Sequence, residues 1–229
     1  MPPDYAGAEW FPSPNKSGRG GLQPVAIVDH IAQGYRAGMR SVVTDGGVSA
    51  HYLVCRSGEV EQYVAEAEAA WGNGLDFSRG YDAYKSDLSI PWLKRCYDEK
   101  INPNRLTISI EHEGFSGEPL TSEQLAASIA LHRDICRRWG ICPNGQTVIG
   151  HYRIDAVSRG RDPGDRFPWA ALLDALAGEC VTPAPPAGLP ESIRDELDRL
   201  WEIGNLATSL GEQIRQQVIA VKQATGFPD

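Results

Sequence analysis

The stretch Thr147 to Trp169, TVIGHYRIDAVSRGRDPGDRFPW, holds residue types that could do chemistry together. Its short apolar start reads as a strand with His151 at the end. A loop rich in Gly and Arg follows, then Asp162-Pro163-Gly164, then Phe167 and Trp169 at the opening of a helix. An imidazole on a rigid strand end and a carboxylate held by a Pro-Gly turn can share one metal ion. Zinc accepts both atom types, and a catalytic zinc takes three protein ligands and leaves one position open. A third ligand and a general base are the groups such chemistry still needs.

Val25 to Ile31 (VAIVDHI) reads as a short buried strand. Alternation places Ala26, Val28 and His30 on one face and Asp29 on the other. His30 is therefore either a core histidine satisfied by a backbone carbonyl or a ligand at the strand end. Leu106 to Gly114 (LTISIEHEG) puts Ile108, Ile110 and His112 on one face, and Thr107, Ser109, Glu111 and Glu113 on the other. The first face predicts core and the second a solvated cleft, where Glu111 is either plain surface or a general base. Ser49–Arg56, a Ser57-Gly58 turn and Glu59–Val64 predict a hairpin. His51 within it is an edge histidine or a second metal ligand. In the glycine-rich loop Ala70-Trp71-Gly72-Asn73-Gly74, Trp71 is core or stacks on a sugar or peptide.

The supporting helices are legible too. One starts near Pro91 with Trp92, Cys96 and Tyr97 on its apolar side. Thr121-Ser122-Glu123-Gln124 is a capping box opening a helix to about Trp139, with Leu125, Ile129, Ile135, Cys136 and Trp139 inward and Gly140 as its stop. Residues 34–47 read as mixed helix and turn.

Composition is globular, with 41% apolar and 23% charged residues in 229. A net charge of −8 without a basic cluster argues against a nucleic-acid partner. Five cysteines without Cys-x-x-Cys spacing read as reduced thiols of a protein made in the cytoplasm. The N-terminus has no signal-peptide pattern, and no apolar run is long enough to span a bilayer. The domain expectation is an irregular lead-in over 1–24, a catalytic domain over 25–180, a Pro/Ala-rich linker over 181–190 and a helical tail over 191–229. In that tail Ile193, Leu200, Ala207, Ile214 and Val221 recur every seven residues, an amphipathic helix that docks on the domain or pairs with another copy as a homo-oligomer.

Taken together, IVDHI, VSAHYLVCRSGEVEQYV, AWGNG, TISIEHEG and VIGHYRIDAVSRGRDPGDRFPW resemble the zinc-dependent N-acetylmuramoyl-L-alanine amidases of type 2, over about residues 25–175. The resemblance implies an α/β fold like that of the peptidoglycan-recognition proteins: a mixed central β-sheet flanked by helices, here with a C-terminal amphipathic helix added. It implies zinc held by His30, His151 and Asp162, with Glu111 as the base that takes a proton from water and returns it to the leaving amine. The implied substrate is peptidoglycan, cut between the muramoyl lactyl group and L-Ala. Many relatives place an oxyanion-stabilising Lys two residues before the last ligand; here that position is Gly160, between Arg159 and Arg161, and either arginine could serve. The family's frequent Trp-His-Ala-Gly is replaced by Trp71-Gly72-Asn73-Gly74, and His51, Trp71 and Asn73 are the expected substrate contacts. Ala50 lies near where some phage relatives carry a catalytic Tyr, with Tyr52 one pleat away. The favoured role is a phage or prophage endolysin that reaches the cell wall after release. The alternatives are a cytosolic amidase recycling anhydro-muropeptides and a non-catalytic peptidoglycan-binding module.

Overall fold

A computed structural model of the chain describes residues 2–179; the linker and heptad stripe expected over 181–190 and 191–229 lie outside the described residues. In chain order the elements are β1 (Ala8–Trp10), β2 (Lys16–Gly18), β3 (Ala26–Ile31), α1 (Arg36–Asp45), β4 (Tyr52–Val54), β5 (Val60–Gln62), β6 (Glu68–Ala70), α2 (Pro91–Glu99), β7 (Thr107–His112), α3 (Ser122–Trp139), β8 (Val148–Gly150) and α4 (Trp169–Leu176). Six strands form one sheet in the order β1-β5-β4-β7-β3-β8, and β2 pairs with β6 separately. The β4–β5 hairpin is antiparallel, while β1–β5, β4–β7, β7–β3 and β3–β8 are parallel. The sheet is therefore mixed, with helices on both faces.

Parallel strands buried on both sides need apolar residues of both parities, and β3 supplies them. Ile27 joins Ile108 and Ile110 under Leu131 and Ile135 of α3 and Leu172 and Leu176 of α4. Val28 faces the other way, with Ile149, toward Leu93 and Cys96 of α2. Leu53 packs near Met39 and Val43 of α1. The helix signals hold: Pro91 sits in the first turn of α2, and Thr121 Oγ1 accepts the Gln124 amide at 3.0 Å at the start of α3. Gly140 ends α3 with φ +64°, a left-handed position that suits glycine.

Four expectations are corrected. The lead-in over 1–24 is not irregular throughout: it contains β1 and β2, and it buries Arg19, whose Nε donates to the Glu66 carbonyl at 2.8 Å and Nη2 to the Thr107 carbonyl at 3.0 Å. The Thr107–Ser109 face of β7 is buried rather than solvated, because Asn73 Nδ2 donates to Thr107 Oγ1 at 2.9 Å and to Ser109 Oγ at 2.8 Å. Cys142 is disulfide-bonded, whereas Cys55, Cys96 and Cys136 are free and buried, so the five-thiol reading fails at Cys142. On α3, Ile135 and Cys136 are buried as predicted, but Leu125, Ile129 and Trp139 are half-buried, and Gln124, Ser128 and His132 occupy deep positions. Among the described residues no helix is long and apolar enough to cross a membrane.

His51 belongs to this interior. Its Nδ1 accepts the Ser109 amide at 2.9 Å, which leaves the ring hydrogen on Nε2, where the Glu68 carbonyl lies at 3.1 Å. Burial, reinforced by the neighbouring Arg19 charge, pushes its pKa from 6.5 down to about 3. Between those values the unfolded chain holds a proton that the fold refuses. Stability therefore falls with falling pH, by up to about 1.4 kcal/mol per pH unit from this one group. His51→Asn keeps an acceptor for the Ser109 amide and is expected to flatten the fall of Tm between about pH 6 and pH 5. An unchanged slope in a thermal-melt series would mean that the folded ring does take up a proton.

Candidate metal centre

β3 and β7 run parallel in a register that sets His30 beside Glu111. Their parity puts both side chains on the face opposite Ile108 and Ile110. On the other side of β3, β8 ends at Gly150, so His151 is the first residue beyond the strand, in a short helical turn. The His30 and His151 rings meet edge to face, with centroids 4.6 Å apart. The loop after His151 then brings Asp162 back over both. Asp162 Oδ2 lies 3.2 Å from His30 Nδ1 and 3.3 Å from His151 Nδ1, and Oδ1 accepts the Ile31 amide at 2.8 Å. The main chain is tied as well: Tyr152 N donates to the Asp162 carbonyl at 3.1 Å, and Asp162 N donates to the Arg159 carbonyl at 2.9 Å.

Gly150 makes that return possible. A Cβ at this position would come within 2.8 Å of Pro163 Cδ and 2.6 Å of the Tyr152 ring. The Asp162–Pro163 peptide is cis, and its proline ring lies in the space that Gly150 leaves.

His30, His151 and Asp162 offer one ligand atom each, all within 4.8 Å of one another. Four donors around a zinc ion at bonds of about 2 Å would stand about 3.3 Å apart, the spacing seen between Asp162 Oδ2 and the two Nδ1 atoms. His151 Nδ1, one of those two atoms, is buried without a hydrogen-bond partner among the described residues, as is Glu111 Oε2 on the neighbouring strand. The donor set, its spacing and these unpaired atoms fit a divalent metal.

Charge is balanced within the cluster. Burial alone would raise the Asp162 pKa, but the two histidines outweigh it and hold the carboxyl well below its usual range. Burial disfavours charge on His30, but Asp162 and Glu111 outweigh it and lift that ring. Burial carries His151 down to about 4 against the pull of Asp162. Glu111 is raised by burial, with Asp162 acting the same way against His30 and Arg159. A carboxyl raised in this way sits nearer neutral pH, where a proton acceptor and donor is most useful. The Arg159 charge is felt at both Glu111 and His151. Arg161 is instead tethered through its carbonyl, which accepts from Ser116 Oγ at 2.9 Å.

The structure thus gathers His30, His151, Asp162 and Glu111, with Arg159 as the electrostatic neighbour. His51 and Asn73 are not brought to the cluster; both are buried and hold β7 in place, which corrects their expected role as substrate contacts. Tyr52 is buried, with its hydroxyl donated to Glu66 Oε1 at 2.7 Å, and Ala50 is buried too. Trp71 keeps 40% of its surface exposed. Glu113, the second carboxylate of the LTISIEHEG stretch, accepts the Arg36 and Arg56 amides at 2.8 Å each and is structural. Sequence reasoning placed Asp29 and His112 on the far faces of their strands, but passed over Gly150 and the polar helix residues that meet them behind the sheet, Ser128 and His132. The four-residue spacing of Gln124, Ser128 and His132 was the available signal for the latter.

Gly150→Ala is expected to push Pro163, and Asp162 with it, off the histidines, costing about 1–3 kcal/mol of stability. A chemical-denaturation midpoint equal to that of the parent chain would contradict the close approach described above.

A profile of the family described as N-acetylmuramoyl-L-alanine amidase matches residues 20–165, well over half of the chain. The 1,6-anhydro-N-acetylmuramyl-L-alanine amidase AmpD of Citrobacter freundii is 32% identical over 143 residues, covering 62% of this chain and 63% of that protein. The match thus spans just under two thirds of the relative's length. Among solved structures, a selenomethionine derivative of AmpD aligns with a TM-score of 0.57 at 25% identity, over 75% of this chain and 95% of that one. The E. coli amidase AmiD, in complex with anhydro-N-acetylmuramic acid-L-Ala-D-γ-Glu-L-Lys, aligns with a TM-score of 0.50 at 26% identity, over 69% of this chain and 58% of that one. With a His-His-Asp cluster of two buried histidines and a half-buried aspartate beside a glutamate on a mixed sheet, and a profile match across that whole region, the chain belongs to the N-acetylmuramoyl-L-alanine amidase family.

Proposed function

We propose that this chain is a zinc amidase that hydrolyses the amide between the lactyl group of an anhydro-muropeptide and its L-Ala. The observation that carries the reading is the convergence of His30, His151 and Asp162 beside Glu111 in a member of this family. The choice of soluble anhydro-muropeptide over intact wall rests on the curated relatives, which carry that substrate in their names, and on the substrate fragment bound to AmiD. The similarities thus favour the recycling role over the endolysin role that the sequence alone suggested.

His30, His151 and Asp162 would hold the zinc. When bound there it supplies Lewis acidity, polarising the amide carbonyl and making water a nucleophile near neutral pH. Glu111 takes the proton of the attacking water and delivers it to the departing amine of L-Ala, a transfer its raised pKa favours. Arg159 offers positive charge to the oxyanion as the carbonyl becomes tetrahedral. The exposed Trp71 presents an apolar ring to the sugar or peptide.

The test is turnover of a soluble anhydro-muropeptide and of purified intact wall, with new L-Ala amino termini as the readout and chelation followed by zinc return as the control. Soluble substrate is expected to be cleaved at least about tenfold faster, with loss on chelation. Equal or faster release from intact wall would restore the endolysin reading. Glu111→Gln should keep its zinc and lose about a hundredfold or more in kcat; an active Glu111→Gln enzyme would remove the base from this scheme. Arg159→Ala should lower kcat by about tenfold to a hundredfold, with Arg161→Ala close to the parent. The reverse ranking in steady-state kinetics would assign the oxyanion to Arg161.

A further inference from the structure

Directly behind the metal cluster, on the other face of the same two strands, lies a buried polar layer that the reaction does not use. Alternation sends Asp29, the neighbour of His30, and His112, the neighbour of Glu111, through the sheet toward α3. The helix meets them with Gln124, Ser128 and His132, four residues apart and therefore on one side. All five side chains are buried.

The contacts run in sequence. His132 Nε2 lies 3.1 and 3.3 Å from the two Asp29 oxygens, and its Nδ1 donates to the Ser128 carbonyl at 2.8 Å. Ser128 Oγ lies 2.9 Å from His112 Nε2, and His112 Nδ1 lies 3.1 Å from the His30 carbonyl. A carbonyl only accepts, so the ring hydrogen of His112 is on Nδ1, and Nε2 accepts from the Ser128 hydroxyl. The ring is steadied by an edge-to-face contact with Phe167 at 5.0 Å. One turn away, Gln124 Nε2 donates to the Val54 and Glu113 carbonyls at 2.9 Å each.

Stability alone is a weak reason for such a layer. Apolar side chains would fill the space without the cost of burying a carboxylate and two imidazoles, and the surrounding core of Ile27, Ile110, Leu131 and Ile135 is already apolar. What apolar residues lack is a directed donor. Here the chain of donors ends on one atom, the carbonyl oxygen of His30.

We propose that Ser128 and His112 are positioning residues for His30: the line from the Ser128 hydroxyl through the His112 ring to the His30 carbonyl fixes where His30 stands relative to His151 and Asp162. The Asp29–His132 pair holds the α3 end of that line. This inference rests on the zinc reading above. A metal with bonds of about 2 Å tolerates displacements of only a few tenths of an ångström, so loosening His30 weakens the ion's hold while leaving the substrate surface unchanged.

The test is zinc affinity of the full chain, measured by competition with a chelating dye, with the Tm of the metal-free protein recorded for each variant. Ser128→Ala and His112→Leu are expected to bind zinc about tenfold more weakly or worse, with KM for the muropeptide unchanged in zinc-saturated enzyme. His112→Asn keeps a donor for the His30 carbonyl and should recover most of the zinc affinity, whatever its metal-free Tm. Affinities within twofold of the parent in Ser128→Ala and His112→Leu would overturn the proposal. So would losses that follow metal-free Tm and persist in His112→Asn. A parent chain that binds no zinc would remove the metal reading itself, and this inference with it.

Discussion

The register between β3 and β7 is the constraint on which the other features depend. Parallel pairing sets His30 against Glu111 and Ile31 against His112. Because side chains alternate with a period of two, a one-residue slip would turn Glu111 toward α3 and bring His112 beside the ligand. The correct register is pinned from both faces. Ile27, Ile108 and Ile110 lock into the α3–α4 core, while Asn73 and His51 grip Ser109 from the opposite side. At the strand end the Glu113 carboxylate ties together the start of α1 and the turn after β4 through two backbone amides.

Two polar layers therefore share one pair of strands, separated by the thickness of the sheet. Their electrostatics differ. On the open side a carboxylate sits between two imidazoles, with a second carboxylate near neutrality and an arginine nearby. On the closed side each polar atom of His112 and His132 has a partner, and burial pushes His112 down to about 4, so that ring is neutral. On the open side His151 Nδ1 and Glu111 Oε2 are left without a hydrogen-bond partner among the described residues; on the closed side both rings are fully engaged and only Asp29 Oδ1, 3.1 Å from His132 Nε2, lacks a hydrogen bond.

Much of this was legible in the sequence where a local rule decides it. Alternation in VAIVDHI and LTISIEHEG assigns His30 and Glu111 to strand ends, and the Thr121 cap and Gly140 stop bound α3 within a residue. The ligand set was readable only through family resemblance, because nothing local links His30 to a carboxylate 132 positions later. The misreadings have a common cause. Thr107, Ser109, His51 and Asn73 are polar and look like a wet face, but they hydrogen-bond one another and Arg19 of the N-terminal segment covers them. Ser128 and His132 were passed over on α3 because periodicity counts apolar residues, and here part of the buried ridge is polar. The choice between Arg159 and Arg161 turns on loop geometry that no pattern encodes.

Sheet order also has a consequence for how the molecule comes into being. β3 forms early in the chain, yet both of its neighbours, β7 and β8, are made late, and β1 closes the far edge against β5. Local hairpins such as β4–β5 can pair as soon as they exist, but the middle of the sheet waits for pairings of long sequence separation, which are slow and entropically demanding. On a ribosome, β3 would leave the exit tunnel with its two apolar faces uncovered and would need shielding until residue 150 follows. The cluster that defines the family is thus among the last features to assemble, since one histidine comes from β3, the other only from the turn after β8, and its carboxylate later still.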